Sequence, residues 1–136
     1  MIRVLIVDDH PVVRRGLIHL LKDDPEKRFT DIGEAGNFGE VLEKLYSFDF
    51  DVVLLDISMP GRNGLEILQE IKKIKPNIHV LILSIYPEEQ YAIRMMKLGA
   101  SGYLNKTSSS EELIKAITKV AQGGKVVSSN MLDKLT

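Results

Sequence analysis

The sequence predicts an α/β protein, a doubly wound five-stranded parallel sheet with helices on both faces. Three observations carry that prediction. Strand-like and helix-like segments alternate along the chain, five of each, which is the pattern of repeated βα units. The run Val52-Val53-Leu54-Leu55 is apolar at every position and half β-branched, as suits a strand covered on both faces. Proline and glycine punctuate the joins, for instance Pro60, Gly61 and Gly64 before LEILQEIKKIK resumes at helical spacing.

Each element follows from local signals. IRVLIV (Ile2 to Val7) is the first strand. A helix then starts at His10-Pro11 and runs through about Lys22, with proline at a favoured first-turn position and Asp9 or His10 before it. Phe29 to Ala35 is half polar and belongs near a sheet edge. Asn37 caps a helix from Phe38 to about Ser47, whose stripe is Val41, Leu42, Leu45 and Tyr46. VVLLD is the third strand, and Leu65 to Lys75 the third helix, stopped by Pro76. HVLILS (His79 to Ser84) is the fourth strand. Pro87 opens a helix ending near Leu98, with Gly99 beyond it. GYLN is a short fifth strand. Ser108 to Ser110 with Glu111 and Glu112 start a last helix that reaches Gln122 before Gly123-Gly124. The remainder, KVVSSNMLDKLT, is too short for a domain and reads as the start of a linker or one more helical turn.

Composition bounds the chemistry. The 136 residues suit one domain, and 44% hydrophobic with 27% charged residues is ordinary for a globular protein. A net charge of −1 gives no electrostatic footprint for nucleic acid. With no cysteine, disulfides, thiolate metal sites and cysteine nucleophiles are excluded. MIRVLIVDDHP has too short an apolar run for a signal peptide, and no run reaches the ~20 apolar residues of a membrane span. The chain therefore reads as cytoplasmic.

In an open parallel sheet, ligands bind beyond the carboxyl ends of the strands. Here the first strand ends in Asp8-Asp9, the third in Asp56 and the fourth in Ser84, while the fifth runs into Lys106. Two like charges ~4 Å apart repel by ~4 kcal/mol at an effective dielectric of 20. A divalent cation relieves that conflict, and an all-oxygen set suits Mg²⁺, with Mn²⁺ as substitute. Mg²⁺ held by few protein ligands completes its shell with water and phosphate, so the implied substrate is phosphorylated. Lys106 can neutralise phosphoryl oxygens, Ser84 can donate a hydrogen bond, and Asp56 on its loop can attack phosphorus to form an acyl phosphate.

The motifs VLIVDDHP, LLDISMPGRNGLE, LILS and GYLNK, in this order over roughly residues 1–124, resemble the receiver domain of bacterial response regulators. The resemblance implies a flavodoxin-like sheet of order 2-1-3-4-5. It also implies a two-component phosphorylation switch in which Asp56 accepts a phosphoryl group from a sensor histidine kinase. Asp8 and Asp9 would hold Mg²⁺ together with Asp56 and the backbone carbonyl of Ser58. Ser84 would be the switch hydroxyl, Tyr103 the switch aromatic, and Lys106 the partner of the phosphoryl oxygens. Such a protein acts on itself, catalysing its own phosphorylation and dephosphorylation, and is not a turnover enzyme. DISMPGRNGLE and GYLNK resemble most the subfamily with a LuxR-type helix-turn-helix. Residues 125–136 would then begin the linker to a missing C-terminal output domain that supplies DNA binding. One departure is Thr107, where many receivers have proline in a cis peptide; a trans bond is expected here.

Other readings leave particular marks. A haloacid-dehalogenase-type phosphatase needs a second acid two residues after its nucleophile, where Ser58 stands. A cobalamin-binding loop needs glycine where Val13 stands, and a flavodoxin phosphate loop would be the electrostatic opposite of DDHPVV. His10 reads as solvent-facing at the helix start, with metal binding beside the acidic pair as the alternative. His19 and His79 read as structural or surface residues. The apolar excess of PEEQYAIRMMKLGA, and Val12 and Ile18 in the first helix, suggest a face for a phosphorylation-dependent homodimer or for the output domain.

Overall fold

The computed structural model describes residues 1–57 and 64–135, the side chains of Gln90, Ser129 and Asn130 aside. Its elements run β1 (Ile2–Val7), α1 (Pro11–Lys22), β2 (Phe29–Ala35), α2 (Phe38–Ser47), β3 (Val52–Asp56), α3 (Gly64–Ile74), β4 (His79–Ser84), α4 (Glu88–Lys97), β5 (Gly102–Asn105), α5 (Ser110–Ala121) and α6 (Ser129–Leu135). The five strands form one parallel sheet in the order β2-β1-β3-β4-β5. The half-polar β2 lies at an edge, as its composition predicts.

Strand side chains alternate between faces, and the core divides accordingly. Val4 and Ile6 of β1, Val52 and Leu54 of β3, and Leu81 and Leu83 of β4 pack with Leu21 of α1 and with Leu113, Ala116, Ile117 and Val120 of α5. Leu5, Val7, Val53, Leu55, Val80 and Ile82 pack on the opposite face with Val41, Leu45, Ile67, Leu68, Ile71 and Met95 from α2, α3 and α4. Both faces are thus covered, which is why the interior positions of the central strands are apolar and the polar residues Arg3, Asp56, His79 and Ser84 stand at or near their ends.

The expected caps form. Asn37 accepts from Glu40 N at 2.9 Å, and Ser109 with Glu112 makes a reciprocal capping box at the start of α5. Pro11 occupies the first turn of α1, whereas Pro87 precedes α4 as its cap residue and does not enter the helix. Tyr46 departs from the expected stripe: it is 73% exposed, and Phe38 packs against the core in its place. On α2, Tyr46 sits one position past buried Leu45, which turns it out of the face that Val41 and Leu45 bury.

The C-terminal segment forms a sixth helix rather than trailing away. Val126 bridges β5 beside Gly102, accepting from Tyr103 N at 2.8 Å and donating to Ser101 O at 3.0 Å. Ser128 N donates to Glu88 Oε2 at 2.8 Å, and Met131 is buried in the same cluster as Ala92, Met95 and Met96. The apolar excess of α4 is therefore covered largely by Val127, Met131 and Leu135 of this chain. Val12 on α1 stays exposed at 83%. Among the described residues no helix is long and apolar enough to cross a membrane.

Candidate functional site

Asp8 directly follows β1, and Asp56 is the last residue of β3. By alternation both continue the α1/α5 face of the sheet, after Ile6 and Leu54. Leu83 of β4 pairs with Asp56 on one side and Leu104 of β5 on the other, so Lys106, two residues past Leu104, shares that face. The ends of β1, β3 and β5 thereby deliver two carboxylates and an ammonium to one place. Both carboxylates are 2% exposed. Lys106 Nζ donates to Asp56 Oδ2 at 2.7 Å and lies 3.8 Å from Asp8 Oδ2.

The lysine loop holds without proline. Asn105 Oδ1 accepts from both Thr107 N at 2.9 Å and Thr107 Oγ1 at 2.8 Å, and Lys106 N donates to Ser84 O at 2.8 Å. No cis peptide occurs among the described residues, so the Lys106–Thr107 bond is trans, as expected.

Asp9 completes the acidic set. His10 Nδ1 lies 3.0 Å from Asp8 Oδ1 and 2.9 Å from Asp9 Oδ1, and His10 N donates to Asp8 Oδ1 at 2.9 Å. The carboxylates raise the His10 pKa, the Asp8 hydrogen bond first and the Asp9 charge next. His10 is solvent-exposed, as the sequence suggests, yet its ring also reaches the acidic pair.

Ligand atoms of Asp8, Asp9, His10 and Asp56 all lie within 4.8 Å of one another. Asp9 Oδ1 is buried and, among the described residues, accepts no hydrogen bond. Three clustered carboxylates, two of them beside Lys106, with a buried acceptor unserved among the described residues, are a donor set that fits a hard divalent cation. Ser58, the fourth residue expected at such a cation, lies outside the described residues.

Ser84 and Tyr103 form a second pair, on β4 and β5. Ser84 follows Val80 and Ile82 in the alternation of β4, so it belongs to the α2–α4 face, as does Tyr103. Ser84 is fully buried, and its Oγ accepts from Tyr86 N at 2.9 Å. Tyr103 is 3% exposed, and its hydroxyl donates to Tyr86 O at 3.0 Å. Burial raises the Tyr103 phenol pKa, against a hydrogen bond with Ser84 that lowers it. Both side chains are thus tied to the backbone of one residue, Tyr86, in the β4–α4 loop.

Sequence reasoning missed Arg14. Its Nη1 donates to Asp8 O at 2.6 Å and its Nε to Glu34 Oε1 at 2.9 Å, so it clamps the β1–α1 turn against the end of β2. A Cβ at Gly36 would come within 2.8 Å of Nη1, so a side chain there would displace the arginine tip. The available signal was an arginine one helical turn into α1, directly behind an acidic pair.

A parallel 2-1-3-4-5 sheet with a buried acidic cluster and a lysine at its carboxyl end defines a class of phosphoryl-accepting α/β domain. Residues 4–118 match the response regulator receiver domain, and the chain belongs to that family. Transcriptional regulatory protein DegU of Brevibacillus brevis is 41% identical over 124 residues, covering 90% of this chain and 51% of DegU. Nitrate/nitrite response regulator protein NarL of Escherichia coli K12 is 37% identical over 125 residues, covering 92% of this chain and 57% of NarL. A solved two-component response regulator of the LuxR family from Aurantimonas sp. SI85-9A1 superposes with a TM-score of 0.87 at 29% identity, covering 99% of this chain and 95% of that one. The chain spans about half the length of the curated relatives it matches.

Proposed function

We propose that this receiver is the phosphorylation switch of a cytoplasmic two-component system. A sensor histidine kinase passes a phosphoryl group to Asp56, and the altered receiver controls a transcriptional output domain that follows residues 125–136. The observation that carries the reading is the buried Asp56 carboxylate held 2.7 Å from Lys106 within a cluster of three acids. The regulatory names of the relatives, and the share of their length lying beyond this chain, support a following output domain. DNA would be bound by that domain, since a net charge of −1 offers phosphates little here.

In the transfer, the bond from phosphorus to the kinase imidazole nitrogen breaks and a bond to an Asp56 carboxylate oxygen forms. The electron pair of the broken bond stays on the imidazole. Lys106 Nζ offsets charge on the phosphoryl oxygens as they arrive, and Arg14 keeps the β1–α1 turn in place. Asp8, Asp9, Asp56 and the Ser58 carbonyl would hold Mg²⁺ (or Mn²⁺), which supplies positive charge to carboxylates and phosphoryl oxygens alike. Hydrolysis of the acyl phosphate at the same site returns Asp56 to its free form.

The switch is a change of hydrogen-bond partner. Ser84 Oγ leaves Tyr86 N for a phosphoryl oxygen, and the freed loop carries Tyr86 O and with it the Tyr103 hydroxyl. Exposed Val12 and Val13 on α1 give an apolar face for a phosphorylation-dependent homodimer. Intact mass after incubation with acetyl phosphate and Mg²⁺ tests the core reading. One phosphoryl group should be gained by the wild type, and none without metal or in Asp56→Asn. A gain that persists in Asp56→Asn would overturn the assignment.

A further inference from the structure

His10 occupies the cap position of α1, where Ser, Thr, Asp or Asn would ordinarily serve the first-turn amides. Its backbone is extended (φ −98°, ψ 106°), and its side chain makes no cap hydrogen bond. The imidazole turns instead to the acidic cluster. Its Nδ1 meets one oxygen of Asp8 and one of Asp9, at 3.0 and 2.9 Å.

A single N–H can point at only one of these oxygens. Asp8 Oδ1 accepts the His10 backbone amide at 2.9 Å and stands at hydrogen-bond distance, 3.0 Å, from Nδ1, whereas Asp9 Oδ1 is buried and, among the described residues, accepts nothing despite lying 2.9 Å from Nδ1. A nitrogen and an orphaned carboxylate oxygen at that separation, with no proton directed between them, are placed as two ligands of one ion would be. Neighbouring ligands in an octahedral shell of radius ~2.1 Å stand ~3.0 Å apart, which is the spacing of Nδ1 from both oxygens. The backbone around the ring is fixed by Pro11 at the first turn and by Arg14 N donating to His10 O at 3.0 Å.

We propose that His10 Nδ1 is a protein ligand of the cation in this pocket, a reading that rests on the acidic site proposed above. The pocket is then a mixed nitrogen–oxygen site. Carboxylate and water ligands favour Mg²⁺ and Mn²⁺, whereas imidazole favours Ni²⁺, Cu²⁺ and Zn²⁺. The chain accordingly takes borderline transition ions at the site in preference to Mg²⁺, and His10 sets that preference. The exposed side of the ring leaves the site open to exchange with solvent ions.

The test is calorimetric titration of the full chain with NiCl₂ and with MgCl₂, for wild type, His10→Phe and His10→Gln. It is paired with electron paramagnetic resonance of one equivalent of Cu²⁺, before and after Mg²⁺ displacement. Displacement by Mg²⁺ separates this pocket from ions held at His19 or His79. His10→Phe keeps the ring shape without nitrogen and should weaken Ni²⁺ by at least about tenfold while Mg²⁺ changes less than about threefold. The nitrogen hyperfine signal of the displaceable Cu²⁺ should disappear in both variants. Thermal melts check that both variants fold, and His10→Gln serves if the bulkier phenyl group disturbs the turn. An unchanged Ni²⁺ to Mg²⁺ ratio with Mg²⁺ still bound overturns the role of His10 and leaves the acidic site standing. Failure of Mg²⁺ to bind the wild type overturns both.

Discussion

The two ends of the sheet treat buried acids in opposite ways. At the amino end, Asp24 is 1% exposed and answered by a single arginine. Arg28 donates to it from the backbone at 3.0 Å, from Nε at 2.9 Å and from Nη2 at 2.8 Å. Asp51 at the same end accepts from Arg3 N, Nε and Nη2 at 2.8, 3.3 and 3.2 Å. Each of these acids meets a fork-shaped cation, and Arg28 reaches Glu26 as well at 3.2 Å. At the carboxyl end, among the described residues, Asp8 and Asp56 meet one lysine, Asp8 and Asp9 meet one imidazole, and a buried Asp9 oxygen is left over. Where charge is balanced by the fold it stabilises the fold, and where it is left in excess it awaits something from solution.

The largest effect on stability should come from the balanced end. The Arg28 guanidinium holds Asp24 far below the usual carboxylate range. A depressed folded pKa gives stability that is present above the unfolded value of ~3.9 and is lost as pH falls through the folded pKa. Asp24→Asn should therefore lower the urea midpoint at pH 7 more than any substitution named below. It should also flatten the decline of stability below pH 4, as read from urea melts against pH. An unchanged acid slope would break the contrast between the two ends.

Next is Lys106→Met, which removes the ammonium from buried Asp56 and should cost about 1–3 kcal/mol in metal-free urea melts. Smallest, and opposite in sign, is Asp9→Asn. Removing one charge of the excess should stabilise the metal-free protein by about 1 kcal/mol, where losing a balanced acid destabilises. A loss of stability in metal-free Asp9→Asn would show that this carboxylate is satisfied by the fold after all.

The contrast explains what could be read from residues alone. Asp8, Asp56 and Lys106 were legible because strand ends announce themselves by an apolar run stopping at a polar residue, and three such ends converge whatever the loops do. The same alternation places Ser84 and Tyr103 on the other face, so the two functional clusters were legible in principle from counting along β4 and β5. Arg14 was not, because its reach to Asp8 O depends on the angle at which α1 leaves the sheet. The Asp24–Arg28 fork was hidden in an irregular loop with no periodicity to mark it. The docking of Val126 and Met131 was invisible for another reason: KVVSSNMLDKLT is too short to carry a pattern, and only the apolar excess of α4 hinted that something covers it.

The most direct test of an unbalanced, cation-awaiting carboxyl end is the thermal melt of the wild type and Asp9→Asn with and without Mg²⁺. A ligand that binds only the folded state at a hundred times its Kd adds about 2.7 kcal/mol. The wild type should melt several degrees higher in saturating Mg²⁺, and Asp9→Asn, already more stable without metal, should gain far less. A wild-type melt indifferent to Mg²⁺, or an equal gain in Asp9→Asn, would contradict the account.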